Sequence, residues 1–132
     1  MSLLGETNFV SRVARTKTAP AAGADVEVKF AYVSCQDYIG RFYNTYALLA
    51  REEDLDFFVH LGDYVYETAG DPSFQNVTGR KVDFKDKAGA LQLGEGDGAY
   101  YAAKSLDNYR DLYKAYRSDE NLQAVHEKFA MI

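Results

Sequence analysis

The sequence predicts an α/β domain that opens with a βαβ unit, and three observations carry this reading. Asp25 to Ser34 alternates, with Val26, Val28, Phe30 and Tyr32 on one face, as a strand does. Ile39 to Glu53 places Phe42, Tyr46, Leu49 and Ala50 on one helical face, before Arg51, Glu52, Glu53 and Asp54 end it in water. Leu55 to Leu61 is a nearly continuous apolar run, the pattern of a buried strand. Strand, amphipathic helix and strand in this order imply two parallel strands joined by a right-handed crossover.

Upstream, the first three residues, Met1-Ser2-Leu3, have the character of an expression leader. Asn8 to Thr18 alternates loosely, with Val10 and Val13 as β-branched points, and Thr18 to Gly23 reads as a small, Pro- and Gly-punctuated linker. Downstream, residues 68 to 104 are Gly-rich and lose all period, apart from a short element at Gly89-Ala-Leu-Gln-Leu, which predicts a functional or flexible insertion. Asn76-Val77-Thr78 within it is a glycosylation sequon, meaningful only in a host that glycosylates.

Two helices are predicted next. Ser105 caps the first, with Leu106, Tyr109, Leu112, Tyr113 and Tyr116 spaced for one face. Ser118 or Asp119 caps the second, which turns Leu122, Val125 and Phe129 inward. Phe129 to Ile132 then leads into a third strand, and its abrupt apolar end suggests an interrupted one.

Composition narrows the function. Fifteen basic against twenty acidic residues give a net charge of -5, which argues against a non-specific nucleic-acid binder. No apolar run approaches the roughly 20 residues of a membrane span. A disulfide framework and a zinc finger are excluded, because Cys35 is the only cysteine and His60 and His126 the only histidines.

In an open parallel sheet, ligands bind beyond the carboxyl ends of the strands. After the first strand come Ser34-Cys35-Gln36-Asp37, and after the second Gly62-Asp63-Tyr64-Val65-Tyr66-Glu67. Neighbouring strands lie about 4.8 Å apart, so Cys35, Asp63 and Tyr66 are candidates to converge on one ion. A thiolate, a carboxylate and a phenolate together suit a highly charged cation such as Fe(III). Each residue also has a plainer reading. A lone Cys is most often a small buried hydrophobe. Asp63 also fits a turn or helix cap, and Tyr66 a packed ring. His60 is read as a core histidine bonded to backbone, with a supporting role behind the ligands as its alternative. Glu67 is read as an exposed carboxylate, and His126 is assigned no role.

Phe-Ala-Tyr-Val-Ser-Cys-Gln-Asp-Tyr at 30 to 38, together with the run from Tyr46 to Glu67 that ends His-Leu-Gly-Asp-Tyr-Val-Tyr-Glu, resembles the alkaline phosphatase D (PhoD-like) family of calcineurin-like metallophosphoesterases. Residues 105 to 126 resemble that family's helical pair, and Thr18-Ala19-Pro20 the end of its preceding β-sandwich domain. The resemblance implies that residues 1 to 24 are leader, end of a preceding β-domain and linker, and that 25 to 132 open the catalytic domain. It implies iron bound by Cys35, Asp63 and Tyr66, with Asp63 also reaching calcium and serving as the catalytic carboxylate. Ser34-Cys35-Gln36 stands where most of the superfamily has an Asp-x-His pair. The implied activity is hydrolysis of phosphate esters, diesters especially, by in-line attack on phosphorus with two ions neutralising the developing charge. The implied setting is periplasmic or secreted.

The family continues with a Trp-Asp-Asp-His-Glu segment and further His and Asp ligands, and none of these stands in this sequence. The expectation is therefore a fragment holding half a site, inactive alone and prone to self-association through an exposed strand edge. The competing reading is a non-catalytic α/β module whose Tyr-rich surface binds a carbohydrate or a protein. Iron on Tyr66 gives visible phenolate charge transfer, whereas such a module is colourless. A flavodoxin-like regulator fits less well, since it wants a phosphate-cradling Gly loop or an acidic pocket after its first strand.

Overall fold

The computed structural model describes residues 11–73 and 79–132. The leader, Val10 and the sequon at 76 to 78 lie outside them. In chain order the elements are β1 (Phe30–Val33), α1 (Asn44–Leu49), β2 (Phe57–His60), β3 (Thr68–Ala69), β4 (Leu91–Leu93), a 3-10 turn (Gly96–Gly98), β5 (Tyr100–Ala102), α2 (Leu106–Tyr116), α3 (Glu120–Lys128) and β6 (Ala130–Met131).

The predicted α/β architecture is present. β1, β2 and β6 form a parallel sheet in that order, with Phe30 opposite Phe57 and Phe58 opposite Met131. Ala31 and Val33 pack with α1 and α3 around fully buried Phe58, Leu122 and Val125. Pleating then turns Phe30 and Tyr32 to the opposite face, where they are 54% and 70% exposed. Phe30 stacks on Phe57 there, with ring centroids 5.4 Å apart.

Three boundaries differ from the sequence pattern. Residues 25 to 29 alternate but form no ladder, and Val26 and Val28 stay half exposed. The helix starts at Asn44 rather than Ile39. Before it, the Asp37 carboxylate accepts the N–H groups of Ile39 and Gly40 at 3.1 and 2.9 Å, holding a tight turn. Ile39 is thereby sent into a second core, and Phe42 is left 59% exposed. The second strand is shorter than predicted, at Phe57–His60.

The Gly-rich stretch is not a structureless insertion. β3, β5 and β4 make a small antiparallel sheet, the last of these at the short element read from the sequence. This sheet, with Val82 and Phe84, packs on Ile39 and on Leu112 and Tyr116 of α2. Strands of two or three residues are too short to carry a visible period. On α2 only Leu112 and Tyr116 of the predicted face are buried, while Leu106, Tyr109 and Tyr113 are exposed. Ser105 caps α2 in a reciprocal box with Asn108, which is fully buried and also donates to the Asp86 carbonyl. Asp119, not Ser118, caps α3.

His126, to which the sequence assigns no role, is half-buried. It lies edge-on to Phe58 and its Nε2 is 2.9 Å from the Tyr64 hydroxyl. Burial, then the charges of Arg117 and His60, push its pKa below the ordinary value. The unfolded chain therefore takes up a proton near pH 6.5 that the folded chain resists, so stability falls as pH drops through that range and is flat above it. Urea melts at pH 7.5 and 5.5 check this, and His126→Gln should flatten the dependence. An equal pH slope in the variant would sink the assignment.

Candidate metal centre

Parallel pairing makes β1 and β2 release the chain at the same end of the sheet. The ladder runs on past the strands. Leu61 donates its N–H to the Val33 carbonyl at 2.8 Å, Cys35 to the Gly62 carbonyl at 3.1 Å, and Gln36 to the Asp63 carbonyl at 3.1 Å. Ser34-Cys35-Gln36 and Gly62-Asp63-Tyr64 are thus held side by side.

Both loops bend sharply. Cys35 and Asp63 have φ of 57° and 54°, and no other non-glycine residue among those described has positive φ. Gly62, at φ 126°, occupies a region that glycine enters freely. A left-handed non-glycine residue costs on the order of 1–3 kcal/mol and tends to cluster at working sites. Here that strain falls on two of the three residues singled out by their place beyond the strands.

The three side chains converge on one atom. The Cys35 thiol donates to Asp63 Oδ2 at 3.5 Å, and the Tyr66 hydroxyl to the same oxygen at 3.3 Å. Cys35 is exposed, so it is not a buried hydrophobe, and no helix follows Asp63 for it to cap. Partial withdrawal from water, then the hydrogen bond to Cys35 and the charge of Asp63, raise the Tyr66 phenol above its ordinary pKa. The Tyr66 backbone N–H donates to the hydroxyl of fully buried Tyr116 at 3.1 Å, which ties this residue to α2.

These donors fit a metal. Bonds of about 2.0–2.3 Å place neighbouring oxygen and sulfur ligands about 3 to 3.5 Å apart, the spacing observed. No trio of His, Cys, Asp and Glu among the described residues is placed to hold an ion, and the third donor in this cluster is the Tyr66 phenol. His60 keeps the backbone-bonded role read from the sequence, its Nδ1 accepting the Gly62 N–H at 3.3 Å. Burial lowers its pKa, opposed by Asp63. Glu67 is exposed.

Residues outside the predicted set also shape the site. Two recesses of about 430 and 380 Å³ are both lined by Cys35, Asp37 and Arg41. Gln36 is 4% exposed and bonded on every side. Arg41 carries no periodic or motif signal, and Gln36, although it closes the Ser34-Cys35-Gln36 motif, is assigned no role of its own by the sequence.

The PhoD-like phosphatase family matches residues 30–132 of this chain. Alkaline phosphatase D of Bacillus subtilis (strain 168) is 37% identical over 124 residues, which cover 93% of this chain and 18% of that protein. The chain therefore spans less than a fifth of the length of that relative. No solved structure matches it. Over most of its length, including the strands, both loops and the converging Cys35, Asp63 and Tyr66, the chain belongs to the PhoD-like phosphatase family.

Proposed function

We propose that this chain supplies half of the metal centre of an enzyme that hydrolyses phosphate esters, diesters especially. The convergence of Cys35 and Tyr66 on Asp63 Oδ2 carries the reading. Cys35, Asp63 and Tyr66 would hold Fe(III), and Asp63 would also reach calcium. When bound, the two ions supply positive charge to the phosphate and its transition state. With a cation present, the three side chains are stabilised as anions, reversing the trend that raises the phenol. Arg41, on the wall of both recesses, offers a guanidinium to the non-bridging phosphate oxygens.

Iron content tests the reading. Cys35→Ser should lose most of its iron, by elemental analysis, and weaken the visible phenolate band, because an alcohol is a far poorer ligand than a thiolate. Equal iron in variant and parent would count against the assignment. Colourless protein after exposure to iron would favour the binding-module reading instead.

Among the described residues, only the shared Asp63 is read as available to a second ion. The chain's turnover of a chromogenic phosphodiester should be at least about a hundredfold below that of the Bacillus subtilis relative under iron and calcium, since charge stabilisation is usually the largest catalytic term. Comparable rates would overturn the half-site. The family resemblance favours a periplasmic or extracellular setting, which fractionation of the native host checks. No helix among the described residues is long and apolar enough to cross a membrane.

Self-association follows from what the sheet leaves bare. Phe30 and Tyr32 on its open face, and Met131 and Ile132 at its β6 edge, are exposed, and such surfaces recruit a second copy. Sedimentation velocity at rising concentration should show association that Tyr32→Lys weakens. A concentration-independent monomer would contradict it.

A further inference from the structure

We infer that Gln36 is the positioning residue that sets the spacing of the two ligand loops. The inference rests on the metal reading above and adds a residue to it. Gln36 follows strained Cys35, and Tyr64 follows strained Asp63. The Gln36 side-chain amide spans the gap between these loops. Its Nε2 donates to the Tyr64 carbonyl at 2.7 Å, and its Oε1 accepts the Tyr46 hydroxyl of α1 at 2.6 Å. The Gln36 carbonyl accepts the Tyr43 hydroxyl at 3.3 Å, and its N–H donates to the Asp63 carbonyl.

This arrangement has a direction. Tyr43 and Tyr46 are 4% exposed and belong to the core between sheet and helices. Burial raises both phenols, so both hydroxyls stay protonated and serve as donors. The core thus fixes the Gln36 acceptor, which aims the amide N–H at the second loop. Two left-handed residues relax unless their surroundings hold them. The Gln36 amide supplies that hold to both loops at once, immediately after each ligand. Glutamate offers no N–H for the Tyr64 carbonyl, and leucine offers neither bond and leaves the carbonyl and the hydroxyl unsatisfied.

Hydrogen exchange gives a test that does not need metal. In Gln36→Leu the Cys35 and Gln36 amides, which bond across to Gly62 and Asp63, should exchange at least about tenfold faster. The amides within the β1–β2 ladder should keep their protection relative to the global rate. Co(II) titration, read by thiolate charge transfer, should then show affinity weaker by about 10–100-fold, the usual effect of removing a group that orients ligands. Unchanged loop protection in a folded Gln36→Leu protein would overturn the inference, as would parental Co(II) affinity. If the parent itself binds no Co(II) or iron, the metal reading fails, and exchange alone decides the role of Gln36. Should Gln36→Leu not fold, Tyr46→Phe carries the test by deleting a single hydroxyl. Faster Cys35 and Gln36 exchange there supports the inference, and parental exchange overturns it.

Discussion

Asp63→Asn is expected to abolish iron retention while leaving the chain folded. Both neighbouring donors point at Asp63 Oδ2, so this carboxylate is the common vertex of the three. An amide of the same size removes its negative charge and presents an N–H₂ group or a neutral oxygen to the ion. Losing a group behind a ligand typically weakens metal binding by 10–100-fold, and losing the central ligand of the proposed centre should exceed about 100-fold. The backbone is spared, because Asn adopts the left-handed conformation at φ 54° as readily as Asp does. Asp63→Ala lacks that tolerance and should also lose about 1 kcal/mol of stability. Elemental analysis, the visible band and a urea melt separate the two effects. A folded Asp63→Asn protein with parental iron content would remove Asp63 from the site.

The frame of this site was legible in the sequence because it depends on local pattern. Phe57 to His60 forms a continuous apolar strand, and Tyr46 and Leu49 sit one helical turn apart on a buried face. The loops beyond the strands then drew attention to Cys35, Asp63 and Tyr66, whose side chains the structure brings together. Pattern overreached where alternation outlasted pairing: Val26 and Val28 continue the period of β1 with no strand beside them. It failed in the Gly-rich stretch, where strands of two or three residues are defined by their partners. It failed for Gln36 and His126 for a related reason. A buried polar side chain is recognisable only by what satisfies it, and Tyr46, Tyr64 and Phe58 reach these two residues from distant parts of the chain.

Asp119→Ala is expected to cost about 3–5 kcal/mol, a large fraction of the stability of a domain this size. Asp119 does two things from a side chain only 4% exposed. Its Oδ1 accepts the N–H groups of Asn121 and Leu122 at 2.9 and 3.0 Å, satisfying the start of α3. Its Oδ2 takes the Arg80 guanidinium at 2.5 Å, with Arg80 itself 18% exposed. That guanidinium lies 4.7 Å over the Tyr38 ring and 5.3 Å over Tyr43, so the pair joins α3 to the turn that follows the Cys35 loop. Removing the cap alone costs about 1 kcal/mol. Withdrawing the carboxylate from a largely buried guanidinium accounts for the rest. Asp119→Asn retains an oxygen for the cap and should cost distinctly less than Asp119→Ala. Arg80→Met combined with Asp119→Ala should cost less than the sum of the two single variants, because the two residues share one ion pair. Little of the effect should respond to salt, since burial limits screening. Urea unfolding of the two single variants and the double variant measures each quantity. A cost for Asp119→Ala within about 0.5 kcal/mol of zero, the range of ordinary surface changes, would show that α3 needs neither its cap nor this pair. The helices would then hold the Cys35 and Asp63 loops through the Tyr116–Tyr66 hydrogen bond instead.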